Sequence, residues 1–141
     1  MYVANAEAAR VLDLVTRGLY RGQGRCIDNA PGCFLPLYVE CVGENQFSTA
    51  HYVQQHSDPV PDPEVTWWKS PRGTWVPLSI DMVTGLHIEA VRVDGNRPVA
   101  WNADALHDLV EFCNLWLGEN FPDQQGGLAA VEAACTAQSV S

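Results

Sequence analysis

Between residues 33 and 94 apolar and polar side chains alternate with a period of two, broken repeatedly by turn residues. A segment patterned this way has few options besides a mostly antiparallel sheet. Leu35, Leu37, Val39 and Cys41 alternate with Pro36, Tyr38 and Glu40, and Gly43-Glu44-Asn45 then supplies a turn. Residues 47–55 read as a second strand, with Phe47, Thr49, His51 and Val53 on one side and Ser48, Ala50 and Tyr52 on the other. Residues 57–63 hold three prolines and two aspartates, which predicts an irregular loop. Residues 65–69 and 74–82 predict a hairpin around Ser70-Pro71-Arg72-Gly73, and residues 86–93 a further strand. Asp94-Gly95-Asn96 leads into a short strand ending near Trp101.

Helical periodicity brackets this region. Ala8, Val11, Leu12, Val15 and Leu19 form one apolar face within residues 5–20, with Asn5 placed to cap it. Asn102 is a second N-cap, for a helix over residues 103–117 whose buried arc is Leu106, Leu109, Val110, Phe112, Cys113, Trp116 and Leu117, with Gly118 near its end. The expected fold is α+β: a mostly antiparallel sheet of about five strands, packed by an N-terminal and a C-terminal helix. Residues 1–127 read as a single domain, and 128–141 as a short helix or frayed tail.

Seventeen acidic against eight basic residues give a net charge of −9. No Lys or Arg occurs between Cys26 and Trp68 or after Arg97. Such a surface repels phosphate backbones, which bind through clustered cations, and attracts basic protein surfaces. The plainer reading, that the acidity only confers solubility, stays open. The one basic cluster, from Arg17 to Arg25, carries glycines in an order that fits neither a Walker loop nor a Rossmann turn. The N-terminus lacks a basic segment followed by an apolar run, and no apolar stretch is long enough to cross a membrane, so a cytoplasmic protein is expected. Five cysteines without a C-x-x-C pair then read as reduced core residues.

Signals for chemistry are thin. His51 and His56, followed by Asp58 and Asp62, are the nearest approach to a metal set, but they run from a strand into the proline-rich segment rather than along one helix face. No nucleophile signature occurs, and whether Cys41, Cys113, His87 and His107 meet is not readable from sequence. The expectation is therefore no enzyme, no metal and no cofactor. Candidate partner-binding residues are the acids of the second helix (Asp104, Asp108, Glu111), those around the proline-rich segment (Asp58, Asp62, Glu64), and an aromatic anchor from Trp67 or Trp68. Those two neighbours point to opposite sides of a strand, so one of them is expected outside the core.

Three segments carry a resemblance. D-N-A-P-G-C-F-L-P-L-Y-V-E (28–40), F-S-T-A-H-Y-V-Q-Q-H-S-D-P-V-P-D-P-E-V (47–65), and F-C-N-L-W-L (112–117) with D-Q-Q (123–125) resemble a small uncharacterised domain family of bacterial integrative elements, plasmids and phages. The resemblance implies no activity and no catalytic residue. It implies a context in which small acidic proteins inhibit host defence, anti-CRISPR proteins among them. On that footing the expected partner is a basic nucleic-acid-binding subunit of a CRISPR effector, with no direct contact to nucleic acid. The alternatives are an accessory module of mobile-element maintenance or transfer, and an enzyme or metal protein of unknown chemistry. A homodimer is compatible with the sequence.

Overall fold

The computed structural model describes residues 1–137. It begins with α1 (Ala6–Thr16), capped by Asn5, whose side chain accepts from the Ala8 N–H at 2.9 Å. Strands β1 (Gly24–Ile27), β2 (Leu37–Gly43), β3 (Gln46–Gln55), β4 (Asp58–Lys69), β5 (Trp75–Asp81) and β6 (His87–Glu89) follow. They form one antiparallel sheet in which spatial order is chain order, a meander. A separate two-stranded ribbon, β7 (Val91–Asp94) and β8 (Arg97–Trp101), leads into α2 (Ala103–Leu115). A π-helical turn (Trp116–Asn120), the short α3 (Phe121–Gln124) and α4 (Leu128–Ala137) complete the described chain. The α+β expectation holds, with six strands in the main sheet. The frayed tail expected at the C-terminus falls on residues 138–141, outside the described residues.

The two faces of the sheet are treated differently. Leu37, Val39 and Cys41 of β2 are buried, as are Ile27, Val65, Trp67, Trp75 and Ile80, in one core with Val11, Leu12 and Val15 of α1 and Leu106, Val110 and Cys113 of α2. Val131 and Cys135 of α4 join the same core, so this helix is part of the domain's packing. On the opposite face Tyr38 and Val42 are exposed. The ribbon covers only the Trp68 end: the Trp68 indole N–H donates to Asn96 at 2.9 Å, in the β7–β8 turn.

Four expectations are corrected. The proline-rich segment is strand, not loop. Pro59, Pro61 and Pro63 recur every second residue, which puts their missing N–H groups on one edge. That stretch pairs only with β3, and β5 joins at Glu64. Prolines are tolerated where the N–H side has no partner strand. The 86–93 strand divides at Ala90 between the sheet and the ribbon. Gly118 does not stop α2; the backbone winds on through the π turn, and an added Cβ there would meet the Ala8 backbone nitrogen at 3.3 Å. Phe112 lies outside the buried arc, tilted against Trp116 at 5.9 Å between ring centres.

Candidate functional site

The acids of α2 stand where its periodicity puts them. Leu106, Leu109, Val110 and Cys113 face inward, so Asp104, Asp108 and Glu111 are exposed on the outer side. His107 lies among them, its Nδ1 at 3.5 Å from Asp108 and its Nε2 at 3.9 Å from Glu111, with its ring edge-on to Tyr2 at 4.8 Å. Asn102 fixes the start of the helix by accepting from the Ala105 N–H at 3.0 Å.

The aromatic anchor is not where the sequence put it. Trp67 is 0% exposed and Trp68 6%. Trp67 points into the helix-covered core and donates to Thr49 Oγ1 at 2.9 Å; Trp68 points the other way, as strand alternation requires, but lies under the ribbon. Trp101, at 52% exposure, is the open tryptophan. It ends β8 immediately before Asn102, the N-cap of α2. With Met1, Tyr2 and Leu106 it lines a shallow apolar depression. Periodicity gives no signal for it: the β7–β8 ladder is bulged at Val99, and Val99, Ala100 and Trp101 are all exposed.

The three acids near the prolines separate in role. Asp58 is exposed at the start of β4. Asp62 Oδ1 accepts from the Val83 N–H at 3.2 Å and so ties down the β5–β6 turn. Glu64 Oε2 accepts from Ser48 Oγ at 2.8 Å on the open face of the sheet.

The segments that carried the resemblance converge on His51. Its Nδ1 lies 2.9 Å from the Pro36 carbonyl, which can only accept, so Nδ1 bears the proton. Nε2 then accepts from the Trp116 indole N–H at 2.9 Å. Burial pulls this imidazole below its ordinary value, and the bond to Pro36 offsets only part of that. With both nitrogens committed, His51 is a neutral structural hinge between β3, the 28–36 loop and the π turn, and has no lone pair left for a metal. Nearby, Gln125 Oε1 accepts from the Asn29 N–H at 2.6 Å, joining the same loop to the end of α3. Cys33, Phe34, Leu35, Pro63, Trp116, Asn120 and Gln124 surround His51 in an open cleft.

The remaining reactive groups are dispersed. Cys113 is fully buried, and burial pushes its thiol far above the usual thiol range. Cys41 Sγ contacts the Gly43 carbonyl, and His87 Nδ1 pairs with Asp81 at 2.6 Å. All five cysteines are free thiols. In the basic segment, Arg25 is buried: its guanidinium donates to the carbonyls of Val15 at 2.7 Å and Arg17 at 2.9 Å, closing the C-terminal end of α1. That removes one cation from the cluster weighed for phosphate. Among the described residues no helix is long and apolar enough to cross a membrane.

These features define an α+β domain, a helix-backed meander with an acidic helix face and an exposed tryptophan just before that helix. Residues 9–126 match the family described as a domain of unknown function (DUF6908), and the chain belongs to that family. No curated protein and no solved structure matches the chain.

Proposed function

We propose that this protein is a non-enzymatic binding protein whose acidic α2 face, anchored by Trp101, engages a basic protein surface. The observation that carries the reading is half-exposed Trp101 immediately before the N-cap of α2, the helix whose outer side exposes Asp104, Asp108 and Glu111. Interface hot spots are typically aromatic anchors with a polar rim. The net charge of −9 favours attraction to surfaces built to hold nucleic acid. Together with the likeness to domains of mobile elements, this supports an anti-CRISPR-type inhibitor acting in the cytoplasm on a basic subunit of a host CRISPR effector. His51, Cys113 and His87 are each committed to structural contacts or buried, which favours binding over catalysis.

The test is a pull-down from host lysate at low and high salt, followed by guide-RNA competition on any effector subunit recovered. Salt-sensitive capture of a basic effector subunit, displaced by guide, is the expected result. It should weaken at least tenfold in W101A and in the charge-reversed D104K/D108K/E111K. Capture of conjugation or replication proteins instead would make this an accessory module of the element.

A further inference from the structure

The open face of the sheet carries a second feature that the α2 reading does not use. Strand alternation brings Cys26 of β1, Tyr38 and Glu40 of β2, Ser48 and Tyr52 of β3, and Glu64 of β4 onto this face. They surround a depression with a cavity volume of about 290 Å³. That is near the lower end of small-molecule pockets, which start at about 300 Å³, and suits one long side chain better than a larger ligand.

Its chemistry is one-sided. The Tyr38 and Tyr52 rings meet edge-on at 5.3 Å, which fixes both and leaves aromatic surface toward the depression. Ser48 Oγ holds Glu64 by one oxygen, Oε2, at 2.8 Å, so the carboxylate is oriented before anything binds. Glu40 is exposed on the neighbouring strand. Among the described residues neither carboxylate forms an ion pair. Arg25 lines the floor, but its two Nη groups donate across the sheet to the carbonyls of Val15 in α1 and of Arg17 at its C-cap. Burial and the charges of Glu64 and Glu40 push the Tyr52 phenol up, which places both carboxylates within electrostatic reach of that ring.

Carboxylates with aromatic faces and no ion-pair partner are the complement of a planar, delocalised cation. We propose that this depression receives an arginine side chain from a basic protein partner, its guanidinium on the tyrosine rings and its N–H groups donating to Glu40 and Glu64. Arginine fits better than lysine because a flat fork satisfies a carboxylate and an aromatic face together, whereas an ammonium is a compact, strongly hydrated charge. The proposal rests on the basic-partner reading but lies on a different surface from Trp101 and α2.

The probe is a short capped peptide containing two arginines, titrated into isotopically labelled full-length protein at low salt and followed by amide NMR. Lysine and citrulline versions serve as comparisons; citrulline keeps the shape and loses the charge. Shifts confined to β1–β4, several-fold weaker with lysine and absent with citrulline, are expected. E40Q/E64Q should weaken the arginine peptide at least tenfold, while E119Q, at an exposed acid on the π turn, leaves it unchanged. Equal binding by the citrulline peptide overturns the proposal using wild-type protein alone. Shifts mapping to α2 would overturn the pocket and leave the α2 reading standing. No shift at any arginine concentration also removes the pocket, and the effector pull-down then judges the α2 reading by itself.

Discussion

Strand β2 shows two destinies for neighbouring residues. Leu37, Val39 and Cys41 turn toward the helices and are buried, while Tyr38, Glu40 and Val42 turn away and are exposed. The inward set needs only to be apolar and of the right size. The outward set mixes an aromatic ring, a carboxylate and an aliphatic chain, which solubility alone does not require. Stability and recognition are thus separated across the thickness of one sheet, and substitutions on the two sides should be read out by different measurements.

The largest expected effect is on the covered side. Trp67 fills the core, touches Trp75 edge-on at 6.3 Å and satisfies its N–H on Thr49. Trp67→Ala should cost about 3–5 kcal/mol in urea unfolding, enough to exhaust much of a small domain's stability. Tyr38→Ala on the open side loses the Tyr52 ring contact and a hydrogen bond with Cys26, and should cost about 1 kcal/mol. Similar losses for both would mean that the open face is covered in solution.

His51 tests the border between the two sides. Its desolvated ring is neutral in the fold, so its folded-state value lies below the ordinary 6.5 that applies when unfolded. In that window the unfolded chain binds more protons, so stability rises with pH. The contribution is complete above about pH 6.5 and is lost as pH falls toward the folded-state value. Unfolding curves from pH 7 to 5 should show a decline that His51→Gln flattens. The variant should also lose about 2–3 kcal/mol at pH 7, because its oxygen and nitrogen share one terminal carbon and cannot take both ring-nitrogen positions, which leaves the Trp116 N–H or the Pro36 carbonyl unpaired.

Where sequence and structure part company, the reason is local. The helix starts were legible because Asn5 and Asn102 make the caps their chemistry favours. The β3–β4 hairpin was not. Its two-residue turn is His56-Ser57, both at positive φ (52° and 72°), a role usually taken by Asn-Gly. With that signal missing, the prolines beyond it read as loop. Strand alternation correctly opposed Trp67 and Trp68, but a ribbon folding over one of them is a long-range event that periodicity cannot register. The α2 acids were readable from the helical pattern, whereas the Tyr38–Glu64 depression joins four strands and exists only once their register is set.

Gly118 separates local propensity from packing. In an isolated helix Gly→Ala is favourable by up to about 1 kcal/mol. Here the added methyl would press on the Ala8 backbone and approach Asn5 Oδ1 at 3.5 Å, disturbing the cap of α1. Gly118→Ala should therefore destabilise by about 1 kcal/mol, an inversion of sign that thermal unfolding resolves readily. A stabilised variant would show that α1 and the π turn yield more easily than their spacing implies.

The smallest effect on stability should come from the residues with the largest proposed effect on binding. Glu40 is exposed and joins no ion pair among the described residues, so Glu40→Gln should leave the unfolding midpoint within experimental error. Glu64→Gln keeps an oxygen for Ser48 and should behave similarly, since the amide is close in shape to the carboxylate it replaces. If the sheet's outer side is for recognition, both variants lose arginine-peptide affinity with folding intact. A marked gain in stability would be informative as well: two unpaired carboxylates flanking Tyr52 repel each other, and relief on neutralisation would mean that the fold tolerates this repulsion for the sake of what binds there.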